Sequence, residues 1–203
     1  MSTRLLLIRH GQIAANLEHR WHGSTDEELT EQGRRQAASL AEHFLRNRPT
    51  IAAVYTSPLL RARATATPIA TMLGVPLVIH PGLAEYGIGA LENETFADLS
   101  TRHRFFEQAE ADLAWAPPGG ESLGAVGTRV VAAWRSIAES HTDADVVVVS
   151  HGAAIATGLA VLLHDDPRAW TRYVFRNTSV TEFVLEPAPQ LVTLDVIDHL
   201  DEL

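Results

Sequence analysis

Arg9-His10-Gly11 stands directly after the apolar run Leu5-Leu6-Leu7-Ile8, and Ser150-His151-Gly152 stands directly after Val146-Val147-Val148-Val149. Both runs read as buried strands, so two histidines leave two strands at their carboxyl ends. In an open parallel sheet those ends share one edge, where ligands bind, and residues far apart in sequence can meet there. Arg61 and Glu85, placed after further strand and helix segments, extend the set. Arg9, Arg61 and one histidine can neutralise the oxygens of a phosphoryl group, because planar guanidinium forks match phosphate geometry. The second histidine is then available to attack phosphorus, with Glu85 to protonate a leaving alkoxide and later to activate water. This chemistry needs neither a metal ion nor a cofactor.

Stepping from those residues to the elements that must hold them, residues 4–8 read as a short buried strand, followed by a polar loop rich in His, Gly, Asp and Glu. Thr30 is placed to cap a helix whose Ala37, Leu40, Ala41, Phe44 and Leu45 recur at helical spacing. Residues 51–55 predict a second strand. Ser57-Pro58 predicts the opening of a second helix, with Ser as cap and Pro at the first helical position, and Ala62, Ala66, Ile69 and Leu73 as its apolar stripe. Residues 75–79 predict a third strand, 81–93 a Gly-containing loop at the site, and 94–114 irregular helical pieces. Pro117-Pro118-Gly119-Gly120 breaks the chain before a helix with Val126, Val130, Trp134 and Ile137 on one face. A strand at 145–149 and a helix carrying Ile155, Leu159 and Leu162 follow. Two late strands near 179–185 and 191–197 complete the pattern. In the last, Val192, Leu194 and Val196 alternate with Thr193 and Asp195 as in a half-buried strand.

The composition sets bounds on this reading. A chain of 203 residues, 46% of them hydrophobic, has the size of one α/β domain, and we expect a single domain over 1–203. No apolar run approaches a membrane span, and Met1-Ser2-Thr3-Arg4 leads into a strand without a signal-peptide pattern, so a cytoplasmic location is expected. The absence of cysteine removes disulfides and thiol chemistry. A net charge of -9 without a basic run argues against nucleic acid as a partner.

At this point the chain resembles the histidine phosphatase superfamily, which includes the cofactor-dependent phosphoglycerate mutases. Arg9-His10-Gly11 with Asn16 is similar to the opening motif. Arg20 to Gly23 with Leu29-Thr30-Glu31 and Gly33 is similar to the substrate-side loop and first helix. Ser57-Pro58-Leu59 with Arg61-Ala62 and Thr65-Ala66, then Leu83-Ala84-Glu85 with Gly89 and Glu92, then Gly119-Gly120-Glu121-Ser122 supply three further matches. The resemblance implies a three-layer α/β/α sandwich, with a mostly parallel central sheet and helices on both faces. It implies His10 as the phosphorylated nucleophile, Arg9, Asn16, Arg61 and His151 as the phosphate pocket, and Glu85 as general acid and base. His22 and Gly23 would meet the substrate, and Glu121 and Ser150 would support the cationic side chains. Ile13 departs from the Thr or Ser common beside the phosphate, and His22, Asn93 and Ala153 also depart from frequent residues.

The expected activity is hydrolysis of a small phosphorylated metabolite. A mutase is the alternative, although region 86–118 offers only Arg102 and Arg104 to hold a substrate carboxylate. A catalytically silent phospholigand-binding protein is the alternative outside enzymology, and a phosphorylated side chain an alternative substrate. The remaining histidines read mostly as surface residues, the four tryptophans as packing residues, Arg63 as pointing away from Arg61, and the acidic end around Asp195, Asp198, Asp201 and Glu202 as a solvated tail. Gly87-Ile88-Gly89 lacks the third glycine of a dinucleotide fingerprint. The late strand at 191–197 could pair in a homodimer.

Overall fold

A computed structural model describes residues 3–48 and 50–200. Its strands are β1 (Arg4–Arg9), β2 (Ala53–Thr56), β3 (Leu77–Ile79), β4 (Asp145–Ser150), β5 (Val180–Val184) and β6 (Gln190–Val196). Its helices are α1 (Ala14–Leu17), α2 (Glu31–Asn47), α3 (Leu60–Leu73), α4 (Phe96–Thr101), α5 (Phe105–Ala111), α6 (Leu123–Glu139) and α7 (Gly152–His164). The strands form one sheet in the order β3-β2-β4-β1-β5-β6. β3, β2, β4 and β1 run parallel, and β5 is antiparallel to both its neighbours.

β1 and β4 lie side by side in the middle of this sheet, which explains why their sequences are continuous apolar runs rather than alternating ones: both faces are covered. Leu6, Ile8, Val147 and Val149 pack against Leu40 and Phe44 of α2 and Ala62, Ala66 and Ile69 of α3. The intervening Leu5, Leu7, Val146 and Val148 pack against Val130 and Trp134 of α6 and Ile155 and Leu159 of α7. The expected α/β/α layering is therefore present, with a mixed, mostly parallel sheet. Register does the rest. Arg9 lies opposite Ser150, so the next residues, His10 and His151, emerge as neighbours at the same carboxyl edge.

Thr30 caps α2 as expected, its Oγ1 accepting the Gly33 amide at 3.0 Å. Other expectations are corrected. α3 starts at Leu60, and its N-cap position is Leu59, without a side-chain cap. Ser57 does accept the Leu59 amide at 3.2 Å, but its hydroxyl also meets a histidine, described below, so it serves the site rather than the helix end. In β6 the exposed set is Val192 and Leu194, while Leu191 packs on the core, the reverse of a strand burying its valines. Asp195 is no free tail: it pairs with Arg176 at 2.8 Å and accepts that residue's amide at 2.7 Å. Asp201 and Glu202 lie outside the described residues. Most of the remaining histidines are at least partly exposed, as expected. His199 is the exception, being buried, while His19 and His164 are exposed and the other five are partly buried.

Candidate active site

His10 is buried at the end of β1, and its Nδ1 lies 2.8 Å from the Gly11 carbonyl oxygen. A carbonyl only accepts, so Nδ1 carries the hydrogen and Nε2 keeps its lone pair. Burial, then the charges of Arg61 and Arg9, hold the ring well below the usual histidine pKa, which keeps it neutral and nucleophilic. His151 occupies the N-cap position of α7 at the end of β4. The two rings are 5.2 Å apart between centroids and tilted by 58°. His151 is likewise held well below its usual value, by burial first and then by Arg61 and His10.

Arg61 reaches this point from the first turn of α3 and is fully buried. Its guanidinium donates to the carbonyls of Thr25 at 2.8 Å, His22 at 2.8 Å and Gly23 at 2.9 Å. Arg9 donates to the Phe175 carbonyl at 2.5 Å. Three buried nitrogens in this cluster have no protein partner: Arg9 Nε, Arg61 Nε and His151 Nδ1. Buried polar nitrogens without partners are costly, so a group of them around one histidine marks a place prepared for an acceptor-rich ligand.

Glu85 sits in the loop after β3, with its carboxyl group over the first turn of α7. Oε1 accepts the amides of Tyr86 and Ala154, each at 2.8 Å, and Oε2 accepts that of Ala153 at 3.2 Å. The α7 amides are donors that the helix itself cannot use. Burial pushes the Glu85 carboxyl above its usual pKa, against the opposing pull of those amides and of Arg61. Its loop is held from behind by Arg129, which donates to the carbonyls of Ala84 at 2.7 Å and Glu85 at 2.8 Å. Arg129 in turn forms a two-pronged ion pair with Glu121, both contacts at 2.7 Å.

Glu121 thus supports one cation, Arg129, which holds the backbone of the Glu85 loop. Ser150 supports no cation: its hydroxyl donates to the Leu83 carbonyl at 2.8 Å. Asn16 Oδ1 accepts from the Ile13 amide at 3.1 Å and from Asn177 at 3.0 Å, and Asn177 also donates to the His10 carbonyl at 2.9 Å. His22 lies between Glu27 and Asn93, 3.1 Å from each. Gly23 has both backbone groups occupied, its amide by Glu92 at 2.9 Å and its carbonyl by Arg61. Ile13 is buried with Ala15, Leu29 and Ala37 and brings no hydroxyl to the site.

Arg9, His10, Asn16, His22 and Glu85 line one cavity of about 290 Å³, and Arg61 and His151 lie fully buried beside His10. Gly23, Glu121 and Ser150 are set back from its wall. Among the described residues, no group of three or more His, Cys, Asp or Glu side chains is disposed to hold a metal ion. Arg129 and Asn177 escaped the sequence reading because nothing local distinguishes them. Arg129 looks like a solvent-facing residue between Val126 and Val130 until the acid loop folds onto α6.

A family model for the histidine phosphatase superfamily (branch 1) matches residues 5–195. A bifunctional protein of Mycobacterium tuberculosis is 39% identical over 165 residues, covering 79% of this chain and 44% of that protein. The chain therefore spans less than half the length of the first curated relatives it matches. A probable phosphoglycerate mutase of Yersinia enterocolitica is 31% identical over 206 residues, covering 98% of this chain and 95% of that one. The crystal structure of phosphoserine phosphatase from Entamoeba histolytica, in complex with 3-phosphoglyceric acid, superposes with a TM-score of 0.86 at 30% identity, covering 98% of this chain and 99% of that one. Because the family pattern runs from the first strand to the last, this chain belongs to the histidine phosphatase superfamily, branch 1.

Proposed function

We propose that the protein is a metal-independent phosphomonoester hydrolase that acts on a small phosphorylated metabolite through a phosphohistidine at His10. The observation that carries this reading is the set of unpartnered buried nitrogens, Arg9 Nε, Arg61 Nε and His151 Nδ1, gathered around a neutral His10. Substrate phosphate would accept from them. The lone pair of His10 Nε2 attacks phosphorus in line, the P–O ester bond breaks, and the Glu85 carboxyl proton passes to the departing alkoxide. A water then attacks the phosphohistidine, gives its proton to the Glu85 carboxylate, and the N–P bond breaks to release inorganic phosphate. Burial of Glu85 favours its protonated form, as the first step requires. Asn16 would add to the phosphate pocket and His22 to the substrate side. We also read 1–203 as one catalytic domain, because the sheet order interleaves early and late strands.

The likeness to a probable phosphoglycerate mutase supports a second reading, transfer back to another hydroxyl of the substrate. The surroundings of the cavity favour hydrolysis. Arg102 lies 3.9 Å from Glu94 and Arg104 pairs with Glu107, and neither lines the cavity where a carboxylate would need a cation. The test is phosphate release from a panel of phosphomonoesters with excess chelator, comparing the protein with His10→Ala and following 3-phosphoglycerate for isomerisation. Release that vanishes in His10→Ala supports the hydrolase. Isomerisation without release would establish the mutase, and silence on every ester would leave a binding protein.

A further inference from the structure

Beyond the phosphate cluster the cavity changes character, and its outer wall is aromatic. Trp21, Phe96, Phe106, Trp170, Tyr173 and Phe175 line it. Four of them form a connected surface: Trp21 lies 5.5 Å from Phe96 and 6.1 Å from Trp170 between ring centroids, and Phe106 stacks on Trp170 at 6.1 Å. Two apolar residues at the mouth stay exposed, Phe96 at 47% and Val174 at 79%. Exposed apolar groups continuous with a pocket gain most from an apolar occupant.

The charges at the mouth point the same way. Arg20, the one cation on the wall besides Arg9, is already 3.0 Å from the Glu18 carboxylate and donates to the Asn93 carbonyl at 2.8 Å. His22 lies 3.1 Å from both Glu27 and Asn93, while its Nδ1 and the Trp170 Nε1 are buried donors without a hydrogen-bond partner, open to a neutral acceptor on the substrate. Beyond the phosphate cluster, the wall itself carries, among the described residues, no arginine or lysine other than this carboxylate-paired Arg20.

Building on the hydrolase reading, we infer that the preferred substrate is a phosphomonoester of a large apolar, ring-bearing alcohol, with no second charged group. The phosphate docks against Arg9 and His10, and the ring lies on the Trp21, Phe96 and Trp170 surface.

The test compares esters of alkyl alcohols only, so that aryl activation does not enter. kcat/KM for 3-phenylpropyl phosphate should exceed that for glycerol 1-phosphate and for 3-phosphoglycerate by about tenfold or more, as burial of a phenyl group on such a wall requires. Phe96→Asp should lower that ratio by about fivefold, and Val174→Asp, at a still more exposed position, should lower it in the same direction. A ratio near unity, preference for 3-phosphoglycerate, or a ratio untouched by both substitutions would overturn the inference. Calorimetric titration with 3-phenylpropylphosphonate and methylphosphonate separates this from the hydrolase reading. Tighter binding of the phenyl compound without turnover of any ester refutes the hydrolase and supports the pocket; turnover with equal binding of both phosphonates refutes the pocket alone.

Discussion

Ser57 Oγ and His151 Nε2 lie 2.7 Å apart, both groups buried, while the same Ser57 oxygen accepts the Leu59 amide. With the Ser57 hydroxyl proton directed at Nε2, the neutral imidazole carries its own hydrogen on Nδ1, the nitrogen with no protein partner. In the proposed mechanism this leaves the Nδ1 hydrogen as the one that His151 offers to the phosphate.

Ser57→Ala removes that selection. The expected result is a folded protein that loses about 1–2 kcal/mol of stability, from the unpartnered ring nitrogen, and about 10- to 100-fold in kcat/KM. Chemical denaturation and steady-state kinetics read the two effects. Unchanged kinetics would show that His151 finds its orientation elsewhere.

The Glu121 and Arg129 pair holds the acid loop through carbonyls, so its loss should be felt at Glu85 rather than in phosphate binding. Arg129→Met is expected to lower kcat about tenfold or more on alkyl esters while sparing activated aryl esters, because only alkoxide departure needs the proton. Glu85→Gln should show the same selectivity more strongly. Equal losses on both ester classes in Glu85→Gln would remove it as the acid.

Stability should depend on pH through His199, whose pKa burial and the neighbouring His43 lower to about 4, against the weaker opposite effect of Asp198. Its ring lies 3.1 Å from Thr178 Oγ1. A histidine depressed on folding binds more protons when unfolded, so its contribution is complete above about pH 6.5 and is lost as pH falls toward 4. The shift amounts to about 2–3 kcal/mol over that window. His10 and His151 act with the same sign. Denaturation from pH 7 to 4 should show a shallower decline in His199→Gln than in the parent, and parallel curves would refute the assignment.

Gly33 lets α2 approach the end of β1. A Cβ at Gly33 would lie 2.2 Å from the Gln12 carbonyl oxygen, and one at Gly11 would lie 2.7 Å from the Gly33 carbonyl oxygen. Gly33→Ala must push the helix away from the His10 turn, at an expected cost of about 2–4 kcal/mol and a loss of activity. A fully stable, active variant would show that the contact yields easily.

Much of the architecture was legible because it is local chemistry: continuous apolar runs mark strands covered on both faces, Thr30 marks a cap, and helical spacing marks the faces of α2 and α6, although Leu45, read into the α2 stripe, is exposed. The order of the short motifs carried the family resemblance, and hence the candidate roles of His10, Glu85 and His151. Tertiary structure alone decided the rest. Register between β1 and β4 puts the two histidines side by side. The fold of the 81–93 loop over α7 gives Glu85 its amide partners, and packing against α6 brings in Arg129. Ser57 reads as a helix cap in sequence because capping is a neighbourly interaction, whereas its contact with His151 spans 94 positions of chain. The aromatic wall was equally hidden, since Trp21, Phe96 and Trp170 come from three separated segments that only the fold brings together. What a residue can do follows from its type; which partner it meets is set by long-range packing, and that is the physical reason the chemistry was readable and its arrangement was not.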